Sequence, residues 1–384
     1  MNGETRRPFV VYWNNIPTPY MVERFNAVAD QGSIDFEAWF NDRIDSDRSW
    51  EIDESKWRFR YRYLPKTRFF GKNLHWPLPI FSRRPDFLVS LYSEPSFIVG
   101  WVIARVRKVK TAFWCQVTMD RWVTRTAWKN LIKRIIFSRV DATLGSGEES
   151  RAFAMKFGTP EIRAMRLPHS IDVCHYMNGA KFGKQERVAL RERAGLNGFT
   201  FIYVGRLWWG KGIDYLIQAF SIVQQSNNGP VSLLLVGDGP DEAKLKELCT
   251  QLKVTNVVFT GFKQKPALPN YYAMADAFVF PTLGDPYGLV VDEAMASSLP
   301  VISTSAAGEI CDRIEEGENG FIVPPENSDA LAKSMLKLLQ EPKLKLKMGR
   351  VSCDKIKRNT PEKWAEDFRR VVDIVLKKNT DIFS

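Results

Sequence analysis

The sequence predicts an α/β protein made of two Rossmann-like domains. Short apolar runs alternate with helical patterns along the whole chain, the signature of parallel sheets covered on both faces. The 384 residues are enough for two cores. A content of 45% apolar and 26% charged residues is ordinary for a folded globular protein.

In the first half, strands are expected at Phe9–Trp13, Phe87–Ser90, Thr111–Cys115 and Asp141–Ser146. In the second half they are expected at FIYVG, SLLLVG, VVFTG and AFVFP, beginning at Phe201, Ser232, Val257 and Ala277. Helices are expected at Asp214–Gln225, Asp329–Leu339 and Pro361–Lys377, the last with Trp364, Phe368, Val371, Val372 and Val375 at helical spacing. WRFRYRY (Trp57–Tyr63) alternates aromatic and basic residues, so it reads as a strand with an aromatic core face and three exposed arginines. The polar stretch between Pro168 and Asn197 marks the join. The expected domains are 1–175 and 190–360, with 361–384 as a terminal helix.

No run approaches the ~18 apolar residues of a membrane span, and FIVGWVIA (Phe97–Ala104) is too short. The opening MNGETRRPFVVYW has no signal-peptide hydrophobic region. The five cysteines, at 115, 174, 249, 311 and 353, lack metal or disulfide spacing, which fits reduced thiols and a cytoplasmic location. His75, His169 and His175 show no ligand spacing either, and no metal is expected.

Charge is uneven. Residues 1–185 hold 30 Lys and Arg against 19 Asp and Glu, a net of +11, while residues 186–384 hold 25 of each. Within the first half, residues 56–139 carry 19 basic and 3 acidic side chains, a net of +16. Such a block suits an anionic partner: a membrane surface, nucleic acid or a phosphorylated acceptor. In Thr124–Arg139, Trp128, Leu131, Ile132, Ile135 and Ile136 share one helical face, with Arg125, Lys129, Lys133 and Arg134 around it. That suits either an interfacial membrane helix or an amphipathic helix packed on a sheet.

The chemistry concentrates in two stretches. In PTLGDPYGLVVDE (Pro281–Glu293) an apolar strand leads to Asp285, and Gly288 then opens a helix carrying Glu293. Two acids eight positions apart bracket a helix N-terminus, whose unpaired N–H groups suit a phosphate while the acids suit hydroxyls. Phosphate flanked by polyols describes a nucleotide-sugar. In FIYVGRLWWGKG, Gly205 permits close backbone approach, and Arg206 and Lys211 place two cations at the C-terminal end of a strand. Competing readings are a helix-capping Asp285 and two solvated cations.

The ordered series GRLWWGKG, LLLVGDGP, VVFTGF, YYAMADAFVFPT, Asp285–Glu293, EAMASSLPVIST and ENGFIVPP resembles the donor-binding half of glycosyltransferase family 4, retaining enzymes of the GT-B fold. That fold sets two Rossmann-like domains face to face across a cleft. By this resemblance, Asp285 touches donor-sugar hydroxyls, the N–H groups of Gly288 and Leu289 meet sugar or phosphate beside Tyr287, and Glu293 binds the ribose. Arg206 and Lys211 hold the diphosphate. Gly205, Gly237 and Phe262 line the donor loops, and Glu309 lies in a donor-lining region or is a solvated or capping acid. The family pattern has glutamate where this chain has Asp285, a carboxylate reaching about 1.5 Å less far. Metal-independent transfer with retention is implied.

The first domain yields acceptor candidates: Asn15 and Tyr20 in Trp13–Val28, which follows the first strand, opens a helix and could approach the donor phosphate or the acceptor, and Asp120, whose competing reading is a surface acid paired with Arg121. The Asp45–Asp47 DSD reads as a turn. The leading expectation is a hexosyltransferase, peripheral on the inner face of a membrane. It uses a UDP- or GDP-sugar and a saccharide or lipid-linked acceptor in polysaccharide, lipopolysaccharide or glycolipid synthesis. A soluble acceptor is the alternative. A nucleic-acid-binding protein is the different-class alternative, but no recognition module is visible and no nucleic acid is expected. A nucleotide-sugar epimerase is a third reading, disfavoured by the paired motifs.

Overall fold

The computed structural model describes residues 6–44, 50–69, 71–116, 127–179 and 183–377. Two compact units are present, Met1–Ser170 with Thr360–Ser384 and Ile171–Asn359.

In the first unit, seven parallel strands lie in the order β3-β2-β1-β6-β7-β8-β9. They are β1 (Phe9–Asn14), β2 (Asp35–Phe40), β3 (Arg60–Tyr63), β6 (Phe87–Ser90), β7 (Lys110–Cys115), β8 (Ala142–Gly145) and β9 (Ala164–Arg166). A hairpin of β4 (Lys66–Phe69) and β5 (Lys72–His75) stands apart from that sheet. The order reverses between β1 and β6, the switch point of this sheet. β1 is apolar on both faces because both are covered. Val10 and Tyr12 join one core with Phe25, Trp114 and Phe368, while Phe9, Val11 and Trp13 join another with Trp39 and Phe97. Gly100 is needed beneath Trp13, since a Cβ there would lie 2.1 Å from the indole. The helix Pro361–Lys377 buries Trp364, Phe368, Val371, Val372 and Val375 in the first of these cores. The Trp364 and Phe368 rings stack at 5.0 Å.

Two expectations change here. In WRFRYRY the arginines are exposed, but Arg58 pairs with Asp30 at 2.6 Å, Arg60 with Asp35 and Arg62 with Glu37. Acids from residues before the basic block fold onto it, so these arginines are neutralised locally. The helix that was expected from Thr124 is described over Ala127–Arg139, and its apolar stripe is largely uncovered. Trp128 is 60% exposed, Leu131 59%, Ile132 43% and Ile135 43%, while Ile136 and Phe137 anchor the helix to the core. Thr124, Arg125 and the DSD turn lie outside the described residues.

In the second unit, six parallel strands take the order β12-β11-β10-β13-β14-β15, reversing between β10 and β13. They are β10 (Phe199–Val204), β11 (Val231–Val236), β12 (Val257–Phe259), β13 (Ala277–Phe280), β14 (Val301–Thr304) and β15 (Gly320–Val323). All six residues of β11 are buried, as a central parallel strand requires. The helices Val173–Gly179 and Lys184–Arg193 belong to this unit, which begins at Ile171 rather than near 190. Asp276, 7% exposed, ties them in: its carboxylate accepts from Arg187 at 3.0 Å, Arg191 at 3.2 Å, Lys345 at 2.8 Å and the Thr200 amide at 2.9 Å.

Candidate active site

The backbone prepares the site at the C-terminal ends of β10, β11 and β12. The Gly205 amide donates to the Val236 carbonyl at 2.9 Å and the Gly237 amide to the Gly261 carbonyl at 3.0 Å. Gly237 has φ 144°, and a Cβ on it would lie 1.9 Å from the Gly205 oxygen. Only glycine lets these loops pass so closely. Arg206 follows Gly205 and is half-buried, its carbonyl accepting from the buried Tyr203 hydroxyl at 3.0 Å. Phe262 follows Gly261 and is also half-buried.

Lys211 ends a short 3-10 turn (Trp209–Lys211) and sits where the loop after β10 meets the loop after β13. Gly212 lets them touch, because a Cβ there would fall 2.2 Å from the Pro281 oxygen. The Lys211 ammonium donates to one oxygen of Asp285, and the Tyr287 amide donates to the other at 2.9 Å. Burial pushes the Asp285 pKa up, but the Lys211 charge and hydrogen bond, the Tyr287 amide and the Arg313 charge together hold it below its ordinary 3.8. Asp285 does not cap the following helix: Gly288, at φ 73°, is the N-cap of Leu289–Ala296. A Cβ at Gly288 would come within 2.6 Å of the Phe280 ring. Leu289 is half-buried at the first turn.

Glu293 lies one turn further along that helix, fully buried, and its Oε2 accepts from the Tyr272 hydroxyl at 2.7 Å. Nearby, burial drives the Lys265 ammonium down to about 8, with the Glu293 charge pulling in the opposite direction. Glu309 is 2% exposed, which removes its reading as a solvated acid, and its side chain makes no cap bond to the short helix Ile310–Arg313.

Sequence reasoning missed Arg313. Its buried guanidinium reaches the carbonyls of Gly288 at 3.0 Å and Gly308 at 3.0 Å, also that of Tyr287, and pairs with buried Asp292 at 3.2 Å. Its carbon sits 4.1 Å from the centre of the Tyr287 ring. The Gly308 amide in turn donates to the Asp285 carbonyl at 2.8 Å. Arg313 thus fastens the loop that aims Asp285, although it stands 28 positions away in sequence with no motif around it. The signal that could have found it is Asp292, a charge on a helix face that must be buried.

The second unit therefore gathers Gly205, Arg206, Lys211, Gly237, Phe262, Asp285, Tyr287, Gly288, Leu289, Glu293 and Glu309 at the strand ends around its switch point, the position where open α/β sheets bind ligands. Asn15 and Tyr20 belong to the first unit: Asn15 donates to Glu94 at 2.8 Å, and the Tyr20 carbonyl accepts from Arg24 at 3.1 Å. Asp120 lies outside the described residues. Among the described residues no group of three or more His, Cys, Asp or Glu side chains is placed to hold a metal ion, and no helix is long and apolar enough to cross a membrane.

Residues 188–352 match the family model described as glycosyl transferases group 1. An uncharacterized glycosyltransferase of Methanocaldococcus jannaschii is 32% identical over 188 residues, 48% of this chain and 47% of that protein. The capsular polysaccharide biosynthesis glycosyltransferase CapM of Staphylococcus aureus is 36% identical over 156 residues, 40% of each chain. The alpha-monoglucosyldiacylglycerol synthase of Acholeplasma laidlawii is 28% identical over 183 residues, 46% of this chain and 44% of that one. The chain spans about half the length, or less, of the curated relatives it matches. Among solved structures, Alr3699/HepE of Anabaena in complex with UDP aligns with a TM-score of 0.78 at 16% identity, covering 95% of this chain and 99% of that one. The fold is that of the GT-B glycosyltransferases. The match to the glycosyl transferases group 1 model lies within the second unit, residues 188–352 of Ile171–Asn359.

Proposed function

We propose that the protein is a retaining, metal-independent hexosyltransferase that moves a sugar from a nucleoside diphosphate to a lipid-linked saccharide at an anionic membrane surface. The observation that carries the transfer is the Lys211–Asp285 pair beside the N-terminus of Leu289–Ala296, with Glu293 buried behind it. Helix N–H groups and two cations suit a diphosphate. In this reading Asp285 binds the sugar hydroxyls and Glu293 the ribose.

In the proposed reaction the bond from sugar C1 to the β-phosphate oxygen breaks while the acceptor oxygen bonds C1 on the same face. The acceptor proton passes to the departing phosphate. Arg206 and Lys211 stabilise the charge growing on that phosphate, so they act more strongly on the transition state than on bound donor.

The membrane part of the reading rests on the helix Ala127–Arg139. Its exposed Trp128, Leu131, Ile132 and Ile135 run alongside exposed Lys129 and Arg134, the pattern of an interfacial helix. Each such cation contributes roughly 1 kcal/mol near an anionic leaflet. CapM is named for capsular polysaccharide biosynthesis and the Acholeplasma relative for a glycolipid synthesis, which supports an acceptor in that class. A soluble acceptor is the second reading, favoured by the local pairing of Arg58, Arg60 and Arg62.

The test supplies UDP- and GDP-hexoses with octyl glycosides in anionic vesicles, with EDTA present, and reads the new linkage by NMR. An α-linked product from an α-linked donor supports the proposal. An inverted linkage, or transfer only when metal is added, refutes it.

A further inference from the structure

The first sheet has a switch point of its own, between β1 and β6, and a polar cluster that includes the acceptor candidate Asn15 occupies it. Asn14 ends β1 and Asn15 follows it, Asn41 follows β2, and Glu94 follows β6 as the N-cap of the helix Pro95–Val106. Glu94 makes no side-chain cap bond to its own helix. Its carboxylate instead turns toward the strand ends, where Oε1 accepts from Asn15 at 2.8 Å and Oε2 from Asn41 at 3.4 Å. Asn41 also donates to the Asn15 side-chain oxygen at 3.1 Å and accepts from the buried Trp13 indole N–H at 2.8 Å. Backbone bonds fix the two loops, with the Asn41 amide on the Asn14 carbonyl at 3.0 Å and the Asp42 amide on the Asn15 carbonyl at 2.9 Å.

The chemistry of this cluster is specific. An ionised carboxylate offers roughly four acceptor positions, and two amides occupy two of those of Glu94. Asn15 uses one of its two side-chain N–H groups on Glu94. Among the described residues, donor and acceptor capacity therefore remains side by side on Asn15 and Glu94, which are half-buried and held at fixed separation. Vicinal hydroxyls, which donate and accept at once, fit that pairing. A phosphate does not, because Glu94 and neighbouring Asp42 would repel it. Burial raises the Glu94 pKa, the Asn15 bond opposes that, and the Asp42 charge adds to the rise, so a hydroxyl donor would gain from a basic carboxylate.

We infer that Glu94, with Asn15 and Asn41, forms a subsite for adjacent hydroxyls of a saccharide in the first unit. The inference deepens the glycosyltransfer reading and rests on it for the saccharide's role as acceptor. It brings in Glu94 and Asn41 beside Asn15, and leaves Tyr20 outside the cluster.

The test is saturation-transfer NMR on the full chain with methyl α-glucoside, methyl α-galactoside and methyl α-mannoside, without nucleotide. At least one should bind, and Glu94→Gln should weaken it about tenfold, the loss of one charged hydrogen bond. Asn15→Ala, which removes a half-buried side chain, should weaken the same glycoside and decides the matter should Glu94→Gln lower the melting temperature. No signal from any of the three, or undiminished signal in both variants, overturns the subsite. UDP and GDP binding is followed in the same samples. If neither nucleotide binds while glycoside binding still depends on Glu94, the donor assignment fails and the subsite stands.

Discussion

Lys211 and Asp285 form an ion pair between loops that leave two neighbouring strands, β10 and β13, on either side of the second sheet's switch point. Their side chains are 17% and 18% exposed, so the pair is reachable from solvent and partly shielded from it. A diphosphate arriving at Lys211 competes with Asp285 for the same ammonium. Donor binding would thus release one Asp285 oxygen for sugar hydroxyls while the Tyr287 amide keeps the other.

Removing the cation should therefore affect the chemical step. Lys211→Ala is expected to lower kcat by about 10²–10³, the loss typical of a preorganised group facing transition-state charge. Steady-state transfer assays check it.

Removing the acid should separate binding from transfer. In Asp285→Asn the ammonium no longer has an anionic partner, so nucleoside diphosphate should bind at least as tightly as to the wild type. Transfer should fall by about 10²-fold, because the sugar loses its charged acceptor. Calorimetric titration with the diphosphate, beside the transfer assay, reads both.

Arg313→Ala should destabilise the second unit by about 3–5 kcal/mol, since it removes the guanidinium that pairs with the buried Asp292 carboxylate. Asp292 has no exposed surface and Arg313 only 6%. Urea unfolding measures the loss.

Acid should act on the same unit through Asp276 and Asp285, both held below 3.8. Their carboxylates are more acidic folded than unfolded, so their stabilisation is complete well above pH 3.8 and disappears as pH falls through the lower folded values. The urea midpoint should stay level from neutral pH down to about 5 and fall steeply below 3.8. In Asp276→Asn the acid limb should be shallower.

Much of this architecture was legible because strands buried on both faces read as apolar runs. FIYV, SLLLV and AFVF stand out in that way, and the helix Pro361–Lys377 has the expected bounds. Gly205, Gly237 and Gly288 were legible through the motifs that carry them, and the structure shows that a Cβ at each would collide. What could not be read was pairing across sequence distance. Nothing near Arg62 announces Glu37, nothing near Arg313 announces the Asp285 loop, and Glu94 looks like an ordinary helix cap until Asn15 and Asn41 are seen against it. The exposed stripe of Ala127–Arg139 was ambiguous for the reverse reason, since periodicity gives a face but not what covers it.

The most direct test of the central claim is a thermal-shift titration of the full chain with UDP, GDP, ADP and their hexose conjugates, in wild type, Arg206→Ala and Lys211→Ala. A ligand that binds only the folded state must raise the melting temperature. One nucleotide family should do so, and both variants should lose most of the shift. A shift unchanged in both variants, or none with any nucleotide, would contradict the placement of the donor diphosphate at Arg206 and Lys211.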